Sequence, residues 1–252
     1  MKPFRTFIST SNKYVDILHD HAELYSRFCK VPMTLEVLGF DPPAEPYPSN
    51  YEFVSMGKQE DYPNKNWADP IRPVIEGVEE NYFGFWWDDF FPIGEMQEDL
   101  FEEAVNLVKE GKAEKVHFFF GSRAQYHSSK TFNENFNVLT QTAEYRSALA
   151  TGIWDKEYFL KNLQPGMTCW DYEVKNFLST TNDGATILIP KRRPIMPWVN
   201  MFRQGNFNTV MWEKYKNSPT GHFAWNKFQT LTPEVAEVVQ RYHPTLGTRQ
   251  LR

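Results

Sequence analysis

The ten residues from Tyr82 to Phe91, YFGFWWDDFF, decide the fold. Tyr82–Trp87 is an almost wholly apolar run of six, as expected of a strand covered on both faces rather than one with a wet side. It stops abruptly at Asp88-Asp89. In open α/β sheets ligands gather beyond the carboxyl ends of the strands. Two adjacent carboxylates there are either solvated in a cleft, neutralised by something bound, or used to cap the following turn.

Working outward, the N-terminal side supplies the partners for this strand. Residues 4–10 (FRTFIST) read as a first strand ending in small hydroxylic residues. Tyr14, Ile17, Leu18, His21, Leu24, Tyr25 and Phe28 then recur at helical spacing over about four turns. Met33–Phe40 reads as a second strand, closed by the proline-rich turn Asp41–Pro48, and Tyr51–Ser55 as a short third. A helix is expected near Ile71–Val78. Strand–helix–strand–strand–helix–strand is an α/β order with a largely parallel sheet flanked by helices. Beyond Phe91 the pattern gives an amphipathic helix over Met96–Gly111 and a strand over Lys115–Phe120. A turn and a helix follow in 144–162, then a helix over 170–179. Residues 186–198 (TILIPKRRPIMPW) read as a hinge or excursion. The expected organisation is one catalytic unit over 1–190, with a basic, aromatic-rich extension over 191–252 packed on it.

Composition sets bounds. A chain of 252 residues suits one core rather than two full domains. Aromatic residues make up 16%, enough to line a cleft as well as fill a core. Two cysteines, Cys29 and Cys169, make neither a disulfide framework nor a zinc cluster. Met1–Ile8 is too short and polar for a signal peptide, and no stretch approaches the ~20 apolar residues of a membrane span. A cytoplasmic protein is expected. The net charge of -5 is unevenly distributed: residues 191–252 hold ten Lys/Arg against three Asp/Glu, and the rest 17 against 29. Either one face meets phosphates or polyanions, or the extension pairs with the acidic body of its own fold.

The chemistry lies in two acidic clusters. Asp88 and Asp89 suit Mg2+ or Mn2+, hard cations that take few carboxylates and complete their shell with phosphate oxygens and water. Such an ion would stabilise negative charge growing on a departing diphosphate. Trp170-Asp171-Tyr172-Glu173 supplies the second cluster. Asp171 and Glu173 diverge by roughly 200° around a helix, so one alone faces a given cleft. A carboxylate within reach of an acceptor hydroxyl can serve as general base. Asp171 is the first choice and Glu173 the second, although Asp171 at a helix start would also make a good first-turn acid or cap.

The ordered pieces FISTSNKYVDIL, VLGFDPP, YEFVSMG, KNWADP, YFGFWWDDFF, YRSALATGIWDKEYFLKNLQPG and WDYE over residues 7–175 resemble compact GT-A glycosyltransferases of bacterial viruses and bacterial surface-glycan clusters. The resemblance implies a nucleotide-sugar donor, by family habit a UDP-sugar. It points Thr10 and Ser11 toward the donor base and ribose, and Lys65 and Asp69 toward the base or diphosphate. It casts Asp88-Asp89 as the metal-holding acidic motif, usually spaced Asp-any-Asp, with Asp89 as the chief ligand. Arg146 falls in a wall of the sugar site, where it would touch sugar hydroxyls or phosphate; its alternative is a surface ion pair with Glu144 or Asp155. Trp154 and His117 read as packed core, and His127 as part of a loop near the acceptor. Arg203, Lys191-Arg192-Arg193, His222 and His243 are candidates to meet a diphosphate.

Three functions follow. The first is transfer of sugar to hydroxymethylated pyrimidines in double-stranded phage DNA, drawn from the family's viral members and the basic extension with its aromatics Trp198, Phe202, Phe207, Trp212, Tyr215, Phe223 and Trp225. The second is synthesis of a bacterial surface or lipid-linked glycan. The third is nucleotide-sugar binding without catalysis.

Overall fold

The computed structural model of the protein describes residues 4–119, 127–203, 206–207 and Val235, Glu237, Val238 and Arg241. Strands β1 (Phe4–Ser9), β2 (Met33–Gly39), β3 (Tyr51–Ser55) and β4 (Tyr82–Trp87) stand side by side in the order β3-β2-β1-β4, all parallel. A 3-10 turn, Val15–Ile17, leads into α1 (Leu18–Phe28), which returns the chain to β2; α2 (Ala68–Glu76) does the same between β3 and β4. The expected element order holds here, and Tyr51–Ser55 and Tyr82–Trp87 have the expected bounds. Gly84 lets β1 and β4 close up: a Cβ there would lie 2.4 Å from the Thr6 hydroxyl.

The sheet continues past β4 in a way the sequence pattern hides. After β5 (Phe90–Pro92) and α3 (Glu98–Lys109) come β6 (Lys115–His117), β7 (Ser129–Thr131), β8 (Phe136–Leu139) and β9 (Gly152–Asp155). Two helices, Lys156–Asn162 and Cys169–Thr180, precede β10 (Ile187–Pro190). The full order is β3-β2-β1-β4-β9-β6-β10-β8-β7. β9 wedges antiparallel between β4 and β6, and β8 is the second reversed strand. The fold is thus mixed α/β, a mostly parallel sheet flanked by helices. Two expectations are corrected. Residues 144–162 contain the strand β9, and 186–198 opens with the wholly buried strand β10 before the excursion begins. β11 (Trp198–Asn200) then pairs with β5, and β12 (Phe202–Arg203) with β13 (Asn206–Phe207).

Side chains alternate across the sheet as strands require. Ile8 and Trp86 pack against α1 and α3 on one face, with Val235 and Val238 of the extension. Phe7, Phe83 and Phe85 pack on the other, against α2 and the helices at 156–162 and 169–180. With strand ends aligned by these two cores, the residues after β1 and β4 share one edge with those entering β9.

Candidate active site

Asp88 and Asp89 stand at that edge. Asp88 is only 7% exposed, and its carboxylate accepts the Thr10 hydroxyl at 2.8 Å and the main-chain N–H groups of Ser11 and Asp89. Burial drives its pKa well above the usual carboxylate range, and the charge of Asp89 adds to this. Asp89 accepts a hydrogen bond from Asn200 Nδ2 at 2.9 Å, and its main-chain oxygen receives the Met201 N–H at 2.9 Å. Burial pushes it up to about 7, with Glu173 adding like-charge repulsion and the Asn200 bond opposing. Among the described residues neither aspartate forms an ion pair.

That shift has a sign. A carboxyl raised in the folded state favours folding fully below its unfolded pKa, near 4, and loses that contribution as pH climbs through the folded value of about 7. Metal-free protein is therefore expected to lose on the order of 2 kcal/mol between pH 5 and 8, discounted for partial exposure, in chemical denaturation. Asp89→Asn should flatten that decline; an unchanged pH slope in the variant contradicts the assignment.

Facing the pair is the helix Cys169–Thr180, whose start decides which carboxylate is free to act. Thr168 Oγ1 accepts the Asp171 N–H at 3.0 Å while the Asp171 carboxylate accepts the Thr168 N–H at 3.0 Å, a reciprocal capping box. Asp171 is thus engaged in starting the helix, the capping role its position also allowed. Asp171→Ala is expected to cost about 1 kcal/mol in thermal or chemical unfolding and to change turnover little. Glu173 points elsewhere. Its Oε1 accepts the Leu149 N–H at 3.0 Å, burial raises its pKa, and the charge of Lys115 opposes that rise. Cys169, one turn earlier, senses both Glu173 and Asp88, so the two acidic clusters meet in one neighbourhood.

The other expected residues divide. Thr10 turns its hydroxyl onto Asp88, and Ser11 gives that carboxylate its N–H, so both shape the acidic motif. Lys65 is exposed at the end of a short 3-10 turn with a left-handed φ of 60°. Asp69 does not pair with it. It accepts from Asn66 Nδ2 at 2.6 Å and Gly166 N–H at 2.8 Å, clamping the start of α2 to the 166–167 turn, and these bonds hold its pKa low. Arg146 is not the surface residue of its alternative reading. It is fully buried, with its guanidinium on Asp183 at 2.6 Å and on the Ala185 carbonyl. His117 and Trp154 are buried, as expected of core, and His127 is exposed. The Arg203 side chain, His222 and His243 lie outside the described residues.

Sequence reasoning missed Asn200, which reaches Asp89 from 111 positions away, and Lys115, wholly buried beneath Glu173. It also missed Trp67, whose Nε1 donates to Ser9 Oγ at 2.9 Å and whose ring lies 5.6 Å from that of Trp87. The basic extension meets the body's acids where it is described: Arg193 pairs with Asp99, and Arg241 with Asp20 and Glu23.

Among the described residues no three His, Cys, Asp or Glu side chains gather to hold a metal by themselves. Two adjacent carboxylates, one buried and one partly exposed, with no cation partner among the described residues, still fit Mg2+ or Mn2+, which keep water and phosphate oxygens in their shell. No helix among the described residues is long and apolar enough to cross a membrane.

No protein-family model and no curated protein matches the chain. Solved structures do. The chain is similar to S. aureus TarS 1-349 in complex with UDP-GlcNAc, at 12% identity and a TM-score of 0.51, over 95% of this chain and 72% of that one. It is similar to S. aureus TarS at 13% identity and a TM-score of 0.50, over 94% of this chain and 42% of that one. A further structure of TarS 1-349 gives 11% identity and a TM-score of 0.45, over 74% and 60%. The chain thus spans well under two thirds of TarS, and the shared property is the fold.

Proposed function

We propose that this chain is a glycosyltransferase that moves a sugar from a nucleoside diphosphate, a UDP-sugar in the first instance, to an acceptor hydroxyl. The observation that carries the reading is the pair Asp88-Asp89 at the carboxyl end of β4, Asp88 buried and Asp89 partly exposed, with no ion pair among the described residues and with Glu173 near enough to repel Asp89 from another element. It stands on a fold shared with a protein crystallised with UDP-GlcNAc.

In this reading Asp89 and Asp88 would hold Mg2+ or Mn2+, which when bound supplies positive charge to a diphosphate. Thr10, Ser11 and Asn200 fix the two carboxylates in place. Glu173 is the base. Its Oε atom takes the acceptor's hydroxyl proton as that oxygen bonds to the sugar's anomeric carbon and the bond from that carbon to the diphosphate oxygen breaks. Attack from the face opposite the leaving group inverts the anomeric centre. Burial raises the Glu173 pKa above its ordinary value, which makes it a stronger base.

For the acceptor we favour a carbohydrate hydroxyl. Trp170 is 64% exposed and Val174 54%, and both lie within one turn of Glu173, an apolar platform at the rim for a sugar ring. The charge asymmetry that suggested duplex DNA is met partly inside the chain by the pairs of Arg193 and Arg241. The described stretch 191–203 is then part of the catalytic unit, with Asn200 as its contribution to the site.

The test is nucleoside diphosphate release from a panel of nucleotide sugars with Mn2+, in the presence of glycan acceptors, hydroxymethylcytosine DNA, or neither. Release stimulated by a glycan supports the reading. Stimulation by DNA alone overturns the acceptor, and no release from any donor overturns catalysis.

A further inference from the structure

Lys115 is wholly buried on β6, with its amine 3.8 Å from the centroid of the Trp154 ring. That amine donates to the main-chain oxygen of Ala148. The next polar atom along the chain, the Leu149 N–H, donates to Glu173 Oε1 at 3.0 Å. The Ala148 C=O and the Leu149 N–H are the two ends of one peptide group. In a trans peptide they point in opposite directions, and the chain has no cis bond among its described residues. The peptide dipole therefore lies with its negative end on the amine and its positive end on the carboxylate. Hydrogen bonds in such a series polarise and strengthen one another in a low-dielectric interior.

We propose that Lys115 is the positioning residue for Glu173, acting through the Ala148–Leu149 peptide group. The inference rests on the reading of Glu173 as base. It accounts for a lysine where an apolar residue would fill the core at lower cost, since burying an amine is unfavourable unless it is bonded. The groups facing Glu173 are Lys115 from β6, Asp89 after β4 and Cys169 on its own helix; those facing Lys115 are Glu173 and His117. Arg146, the other buried cation nearby, is paired with Asp183. Burial drives the Lys115 amine toward its neutral form and Glu173 opposes that, but an N–H remains for Ala148 in either state.

The experiment is a double-mutant cycle in the full chain with Lys115→Met, Glu173→Gln and both, read as kcat, donor KM and hydrogen exchange of the Leu149 amide. Met keeps the aliphatic stem, so folding is expected to survive and is checked by melting. Lys115→Met should lower kcat about tenfold and leave donor KM within about twofold, with no added loss in the Glu173→Gln background. Leu149 exchange should quicken about tenfold in each single variant while β1 amides stay protected. Tyr158→Phe, which removes a bond to Asp183 in the same layer, is the control and should leave kcat unchanged. Equal kcat losses in both backgrounds, or unaltered Leu149 exchange, overturn the coupling. Full transfer by Glu173→Gln with exchange still quickened overturns the base assignment instead. If Lys115→Met fails to fold, Leu149 exchange in Glu173→Gln decides, and an unchanged rate there overturns the proposal.

Discussion

Asp89→Ala is expected to lower transfer from a UDP-sugar by about a thousandfold or more, with the fold intact. A departing diphosphate gathers negative charge at an edge already carrying Asp88, Asp89 and Glu173. Without a cation that charge would be repelled; one held by Asp89 would stabilise it by several kcal/mol. Removing the carboxylate would remove the proposed cation ligand and, with it, the oxygen that takes the Asn200 Nδ2 hydrogen bond. Donor affinity should fall with turnover, and added Mn2+ should no longer restore it. Stability should not suffer in step, because a carboxylate raised to about 7 does not favour the fold at neutral pH. Kinetics and melting curves on the same sample separate the two effects. An inactive variant that also fails to melt cooperatively would leave the loss to folding and contradict the account.

Glu173→Gln is expected to lower kcat by about 10²–10⁴ with donor binding retained, the range typical of losing a positioned base. Glutamine can still accept the Leu149 N–H through its carbonyl, so the helix keeps its place, but a neutral amide holds that N–H more weakly than a carboxylate and the Leu149 amide opens more readily. The contrast with Asp171 is the informative part. Its carboxylate caps the helix, so replacing it is expected to lower the melting point and leave the chemistry nearly alone. Loss of transfer in Asp171→Ala with full activity in Glu173→Gln would reverse the assignment. Calorimetry with UDP and single-turnover kinetics on both variants provide the comparison.

How much of this was legible beforehand follows from how local each signal is. Tyr82–Trp87 declared itself because a strand covered on both faces is a long apolar run, and Asp88-Asp89 because charge so placed needs an explanation. β9 did not, since Gly152–Asp155 is short, lacks alternation, and is a strand only because β4 and β6 come to either side of it. β10 was masked by the basic, proline-rich residues after it. Arg146 read as a surface residue because its partner Asp183 is 37 positions on. Asn200 could not be found, because β5 and β11 pair across more than a hundred residues. The role of Asp171 was within reach. Thr168-Cys169-Trp170-Asp171 carries the spacing of a capping box, and weighting that over the choice of base would have singled out Glu173.

The claim on which all of this depends is that a cation held by Asp89 binds the donor's diphosphate. Titrating UDP-GlcNAc into the full chain by calorimetry, with and without Mn2+ and in wild type and Asp89→Ala, tests it directly. The account predicts heat of binding that requires both the metal and Asp89. Binding of equal strength without metal, or undiminished in Asp89→Ala, would contradict it.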